Sequence, residues 1–177
     1  MKNKNNFKVS VVLPSYNEKE NIGEAIERLS QCLGKNLHEI IVVDDNSPDG
    51  TWKIVQEMNN PSVRLIRRMN IKGLASALAT GVKAAQGNVV AWLDCDLGIP
   101  PEIVPQLVEK LDNYDVVIGS RYVAGGGDPR PFPLPFLSKC LNMYARVLFG
   151  SQICDYTSGV VAVRKEIIKN VLWKDNG

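Results

Sequence analysis

The sequence predicts an α/β protein with a mostly parallel sheet covered by helices on both faces. Two observations predict it. Short apolar runs rich in β-branched residues alternate with amphipathic, helix-length segments along most of the chain, the order that parallel strands joined by crossover helices require. Polar and acidic residues collect directly after those apolar runs, where an open sheet of this kind keeps its ligand crevice.

The elements follow in order. Residues 9–13 read as a first strand, and residues 20–33 as a helix with Ile22, Ala25, Ile26 and Leu29 on one face. Residues 39–43 form a second strand, ended by the turn-rich run from Asp44 to Gly50. A helix over 51–58, a short strand over 63–66 and an alanine-rich helix over 74–85 come next. The apolar run Val89-Val90-Ala91-Trp92-Leu93 predicts a buried strand, with Trp92 in the core. A helix over 101–111 carries proline at its first turn, and a strand over 116–118 follows. Residues 121–135, with Gly125-Gly126-Gly127 and four prolines, predict a long irregular connection. A helix over 136–149 and a strand over 158–163 complete the pattern. Neither a repeat nor a second domain is evident, so residues 1–177 are expected to form one domain.

Composition narrows the function. The 177 residues are 45% hydrophobic and 23% charged with a formal net charge of +2, ordinary values for a globular protein. The charges are mixed along the chain, which leaves no basic stripe for nucleic acid. Cys32, Cys95, Cys140 and Cys154 form no C-x-x-C pair, which argues against a zinc site. The polar start and the absence of an apolar stretch of about 18 residues predict a reduced, cytosolic chain that would meet a membrane from the side. His38, the only histidine, stands before a strand, so Ser-His-Asp chemistry has no support. No G-x-G-x-x-G follows the first strand, which weighs against a dinucleotide-binding protein.

The candidate site is a set of strand ends. Asp94 and Asp96 flank Cys95 at the end of the fourth strand, and two such carboxylates suit a hard divalent cation that also meets phosphate oxygens. Taken alone, the pair is more often turn chemistry. Pro14, Ser15, Tyr16, Asn17 and Glu18 leave the first strand, with Tyr16 offering a stacking face; a capped strand-to-helix turn explains the same residues. Asp44 and Asp45 point to opposite sides of an extended chain, so at most one faces a crevice. The small residues from Gly73 to Ala77 open a helix where phosphate can approach, although for Ala77, Gly81 and Ala84 helix-on-sheet packing is the better reading. Arg121 ends the fifth strand, where a guanidinium suits a phosphate or a carboxylate. Asp155 precedes the last strand.

In this order, V-V-L-P-S-Y-N-E, V-V-D-D-N-S-P-D-G-T, G-L-A-S-A-L-A-T-G, D-C-D-L, G-S-R-Y and D-Y-T-S-G resemble family 2 glycosyltransferases, most of all the dolichol-phosphate mannosyltransferase (polyprenyl-phosphate glycosyltransferase) group. The resemblance covers residues 9–168. It implies a GT-A, Rossmann-like fold that binds a nucleotide sugar with Mg²⁺ or Mn²⁺, and inverting transfer of mannose from GDP-mannose to a polyprenyl or dolichyl phosphate at the cytoplasmic membrane face. UDP-glucose or another nucleotide sugar is the alternative donor, and a nucleotide-sugar-binding fragment with little catalysis is the alternative from another class. By motif, Pro14, Tyr16, Glu18 and Asp45 resemble the nucleotide pocket, Asp94 and Asp96 the metal ligands with Cys95 beside the donor, and Arg121 the arginine near the donor diphosphate and acceptor phosphate.

Three positions depart from the group's pattern. Gly98 stands where relatives carry Gln or Ser able to help hold the metal. Leu134 stands where they carry an arginine, a place Arg130 or Lys139 would have to fill. The chain is also short at its C-terminus, where relatives continue with a strand, helix and basic loop. Residues 123–136, with Phe132 and Phe136, are the candidate acceptor lid, a solvated loop being the equal alternative.

Overall fold

The computed structural model describes residues 6–70, 72–123, 127, 131–150 and 153–168. The described chain forms two compact units: residues up to Val117 together with those from Val160 onward, and the segment Ile118–Gly159.

The first unit is built on a sheet whose strands are β1 (Val9–Ser15), β2 (Leu37–Asp44), β3 (Val63–Arg67), β4 (Val89–Trp92), β5 (Val116–Ile118) and β6 (Val161–Arg164). Their order is β3-β2-β1-β4-β6-β5. β1 pairs in parallel with β2 and β4, and β2 with β3; β6 runs antiparallel to β4. The strand order reverses between β1 and β4, and an open α/β sheet opens its crevice at such a point, beyond the carboxyl ends of the strands.

Period-two alternation divides the strand residues between two cores. Val9, Val11 and Leu13 of β1, Ile40 and Val42 of β2, and Val89 and Ala91 of β4 join Ile22, Ile26 and Leu29 of helix α1 (Ile22–Leu33) and Val104, Leu107 and Val108 of α4 (Ile103–Lys110). On the opposite face Val12, Ile41, Val43 and Val90 pack with Ala77 and Val82 of α3 (Leu74–Ala84) and with Ile168 of α6 (Lys165–Ile168). Strands buried on both sides explain why the sequence shows continuous apolar runs rather than alternation. Gly81 has the packing role: a Cβ there would stand 2.3 Å from the Val12 side chain, so only glycine lets α3 lie this close to β1. Helix α2 (Thr51–Glu57) completes the unit, its N-terminus held by Asp49, which accepts the Thr51 N–H at 2.9 Å.

Observed boundaries differ from the sequence expectation by one to three residues. β2 begins two residues earlier, at Leu37, and α4 begins at Ile103 rather than 101 because Pro101 and Glu102 form a turn before it. The last strand starts at Val161, not at 158. Trp92 is half-buried and packs against the edge of the second core, not within it.

The second unit carries helix α5 (Leu134–Phe149), whose buried residues are Asn142 and Ala145. Of the candidate lid, residues 124–126 and 128–130 lie outside the described residues. Phe132 and Phe136 are exposed, with ring centroids 6.4 Å apart. No helix among the described residues is long and apolar enough to cross a membrane.

Candidate functional site

At the carboxyl ends of β1 and β4 the first unit opens into a cleft of ≈ 560 Å³. Pro14, Tyr16, Glu18, Asp45, Asp94, Cys95 and Asp96 all line it. The sequence separates these residues by as many as 82 positions; the parallel register that pairs Val12 with Trp92 brings the two strand ends side by side. Ser15, Lys72, Gly73, Leu74 and Ala77 complete the lining.

Three carboxylates define its electrostatics. Asp94 makes no hydrogen bond or ion pair with a described residue, and its carboxylate is open to the cleft. The surrounding walls strip part of its hydration, and this desolvation, followed by the charges of Asp96 and Glu18, raises its pKa above the ordinary range. Asp96 accepts the Gly98 N–H at 2.9 Å, an Asx-type turn that fixes its orientation. A Cβ at position 98 would come within 3.1 Å of Asp96 Oδ1, so the missing side chain is also what leaves this carboxylate room. Glu18 accepts from the Asn21 amide at 3.0 Å. Between them, Cys95 is buried and its thiol faces the Pro14 carbonyl at 3.3 Å, tying the end of β4 to the end of β1. Burial, and then the neighbouring carboxylates, push that thiol well above its usual range, so it stays protonated and inert.

The Asp44-Asp45 pair resolves by strand parity. Asp44 is fully buried and accepts from Ser15 Oγ at 3.1 Å and from the Ser47 N–H at 2.8 Å, closing the turn after β2. Asp45 faces the cleft. Its Oδ1 accepts Arg68 Nε at 2.6 Å and its Oδ2 accepts the Gly73 N–H at 2.8 Å. Arg68, itself buried, also donates to Ser76 Oγ and to the Gly73 carbonyl. Arg68 therefore locks the start of α3 to the end of β2. The sequence reading missed it: Arg67 and Arg68 follow a strand together, and nothing in the pattern says which one turns inward. Tyr16 is 48% exposed, and Lys72 sits over its ring with Nζ 4.7 Å from the centroid, a cation–π pair on the cleft wall.

Among the described residues no group of three or more His, Cys, Asp or Glu side chains is arranged to hold a metal ion. Asp94 and Asp96 alone fit the case in which one or two carboxylates share a divalent cation with substrate phosphates and water. Their crowding, with no ion pair to either from a described residue, is the observation that favours such a partner.

Arg121 lies in the second unit. It grips Asp155 in a bidentate pair, Nε to Oδ2 at 2.8 Å and Nη2 to Oδ1 at 2.9 Å, and also donates to the Thr157 hydroxyl and carbonyl. Asn142 donates to Asp155 and to the Ser138 carbonyl, and its own amide oxygen receives the Tyr156 N–H. Burial works to raise the Asp155 carboxyl, but the hydrogen bonds from Arg121 and Thr157 outweigh it and pull the group down to about 2. Asp155 thus holds the Arg121 guanidinium in one plane.

The profile of the family described as Glycosyl transferase family 2 matches residues 10–172. Dolichol-phosphate mannosyltransferase of Pyrococcus furiosus is 44% identical over 170 residues, covering 93% of this chain and 48% of that protein. The enzyme of the same name from Saccharomyces cerevisiae is 35% identical, covering 94% of this chain and 64% of its own length. Undecaprenyl-phosphate mannosyltransferase of Micrococcus luteus is 32% identical, covering 93% and 70% respectively. The chain thus spans about half of the Pyrococcus protein and just under two thirds of the yeast one. Among solved structures, glucosyl-3-phosphoglycerate synthase of Mycobacterium tuberculosis in complex with Mn²⁺, UDP and glucosyl-3-phosphoglycerate superposes with a TM-score of 0.73 at 24% identity, over 93% of this chain and 59% of that one. A mannosyltransferase of Pyrobaculum calidifontis in complex with GDP-Man and Mn²⁺ gives 0.64 at 21%, over 92% and 46%. At these identities the structural likeness shows the fold, which is the GT-A arrangement that the sequence predicts.

Proposed function

Because this chain belongs to glycosyl transferase family 2, we propose that it is the catalytic part of an inverting transferase that moves mannose from GDP-mannose to a polyprenyl phosphate. The observation that carries the reading is the cleft at the β1/β4 switch, where Asp94, Asp96 and Glu18 converge and none of the three forms an ion pair with a described residue. A nucleotide diphosphate with a divalent cation meets that need, and the relatives of 32–44% identity are named as mannosyltransferases acting on dolichol or undecaprenyl phosphate. The solved relatives that contain Mn²⁺ support a divalent cation here. Mg²⁺ and Mn²⁺ both suit this oxygen set.

Each residue then has a task. Asp94 and Asp96 would hold the cation, whose contribution when bound is to neutralise charge on the departing diphosphate. Cys95 keeps the two strand ends together. Tyr16 presents its exposed face to the nucleotide, and Pro14 and Glu18 shape the entrance. Asp45 orders the wall through Arg68 and Gly73 and keeps its remaining lone-pair capacity for the nucleoside. Arg121, whose plane Asp155 fixes, is assigned to the substrate phosphates. An acceptor phosphate is largely dianionic near pH 7, its second ionisation lying at about 6. It attacks the anomeric carbon directly, so the chain needs neither a strong general base nor a covalent intermediate. The chain's work is to position the two substrates. An acceptor of this kind places this part of the protein at a membrane surface.

Calorimetric titration of GDP-mannose and UDP-glucose, with Mn²⁺ and with chelator, tests the donor side. Metal-dependent binding of GDP-mannose that Asp94→Ala removes is the expected result, and preferential binding of UDP-glucose would reassign the donor. Lipid-dependent release of GDP tests the acceptor side, and a trapped glycosyl-enzyme adduct in the mass spectrum would overturn direct displacement.

A further inference from the structure

The run from Asn46 to Thr51 after β2 reads in sequence as turn chemistry, yet starting α2 uses only part of it. Its remaining oxygens serve the loop that leaves β1. Three consecutive backbone N–H groups of that loop donate to three side chains of the run. Asn17 donates to Ser47 Oγ at 3.1 Å, Glu18 to Thr51 Oγ1 at 3.0 Å and Lys19 to Asp49 Oδ2 at 3.0 Å. Ser47 and Thr51 are buried, at 2% and 0% exposure, so losing either hydroxyl leaves an N–H group unsatisfied at a site closed to water.

Both hydroxyls are aimed from behind. Thr51 Oγ1 donates to Asp49 Oδ1 at 2.7 Å, and Ser47 Oγ donates to the buried Asp44 at 2.6 Å. A hydroxyl has one proton and two lone pairs; with the proton committed to a carboxylate, a lone pair is left for the first loop. There it holds an unusual backbone: Asn17 has a φ of 60°, a left-handed conformation uncommon outside glycine. On either side of Asn17 stand Tyr16 and Glu18, which both line the donor cleft. Glu18 is fixed at three points. Thr51 takes its N–H, the first turn of α1 donates to its carbonyl, and the Asn21 amide holds its carboxylate. Neither Ser47 nor Thr51 is among the described residues that line the cleft, so both act through the loop.

We propose that Ser47 and Thr51, backed by Asp44 and Asp49, are positioning residues of the donor site, which preset the β1 loop so that Tyr16 and Glu18 meet the nucleotide already in place. The inference rests on the donor reading above and adds to it two residues, outside the cleft, on which affinity depends. A loop without these bonds is in the binding conformation only part of the time, and affinity falls by that fraction.

Calorimetric titration of GDP-mannose and of UDP-glucose with Mn²⁺, beside thermal melting of each unliganded variant, tests it. Thr51→Val keeps the shape and removes the hydroxyl, and the nucleotide sugar should bind about tenfold more weakly. Thr51→Ser keeps the hydroxyl and loses a buried methyl, so it should melt below the parent and still bind within about twofold of it. Ser47→Ala is the milder change, since Asp44 retains its bonds from Ser15 and from the backbone at position 47; it should bind about threefold more weakly. With a merely structural role, affinity would follow melting temperature across the three variants. Parent-like binding by Thr51→Val or by Ser47→Ala, or a loss in Thr51→Ser as large as in Thr51→Val, overturns the proposal and leaves the donor reading standing. A parent chain that binds neither nucleotide sugar overturns the donor reading and this inference with it.

Discussion

Two acidic clusters in this molecule have opposite electrostatic designs. In the cleft of the first unit, Asp94, Asp96 and Glu18 face one another, and desolvation and mutual repulsion hold Asp94 above its usual pKa. In the second unit, Asp155 is buried yet lies at about 2, because Arg121 and Thr157 satisfy it. No acid of the first cluster forms an ion pair with a described residue, whereas Asp155 in the second unit carries its own cation in Arg121. A carboxylate that strains the empty protein is thereby distinguished from one that holds it together, and the two should respond oppositely to neutralisation.

The largest expected effect is on the satisfied side. Asp155→Ala leaves the partly buried Arg121 guanidinium without its bidentate partner, and breaking such a pair costs about 3 kcal/mol, read as a lower midpoint in urea unfolding. The pH dependence has a definite sign. Asp155 is depressed in the fold, so its contribution is complete above the unfolded value of about 3.9 and is lost as pH falls toward about 2. Unfolding followed from pH 5 downward should show the parent losing this contribution, while Asp155→Ala, already without it, falls less steeply.

Asp94→Asn comes next and separates the clusters. Removing a proposed cation ligand should weaken Mn²⁺-dependent donor binding by at least about a hundredfold, beyond the usual loss for an outer-sphere partner. The same substitution relieves repulsion, so the metal-free chain should melt no lower than the parent and, at neutral pH, slightly higher. The sign follows from the raised pKa: ionised Asp94 disfavours the fold above that value and ceases to do so below it. A lower melting temperature for Asp94→Asn would remove the contrast between the two clusters.

Arg68→Met tests a case between these extremes, because Arg68 satisfies a buried carboxylate that also lines the cleft. Asp45 would keep the Gly73 N–H but lose its ion pair, with a stability cost of about 2–3 kcal/mol. Donor binding should weaken by about tenfold through displacement of the α3 start, and Arg68→Lys should restore stability more than binding, since a point charge lacks the fork that reaches Ser76 and Gly73.

The sequence made the strand-end residues legible because each follows an apolar run, and one physical rule places the carboxyl ends of parallel strands at a crevice. Seven of the eight assigned residues line one cleft for that reason. What stayed hidden depended on a choice that local pattern does not encode. Arg67 and Arg68 read alike, yet Arg68 is buried on Asp45 while Arg67 stacks on the partly buried Trp52 ring. The α5 segment read clearly as a helix, but periodicity alone assigns its apolar side to the core, whereas Asn142 is the residue buried there. Trp92 reads as core by its neighbours in sequence, but it is the last residue of its strand and is only partly buried, against the edge of the second core.

The smallest expected effect concerns Gly98, which the sequence marks as a departure from the group. Two opposing contributions act there. A serine hydroxyl would add an oxygen beside the proposed cation, while its Cβ crowds Asp96 Oδ1 at 3.1 Å. Asp96 is exposed and its carboxylate can give by a few tenths of an ångström, so the clash is cheap; the Gly98 N–H that orients it is retained in any substitution. Gly98→Ala carries the crowding alone and should weaken Mn²⁺-dependent donor binding by no more than about threefold, well under 1 kcal/mol. Gly98→Ser carries both and should bind at least as tightly as the parent. If titration shows both variants equally weakened, the hydroxyl contributes nothing and the cleft tolerates no side chain at this position. Asp96 would then be a rigid member of the cluster, held as tightly as Asp155 is in the other unit.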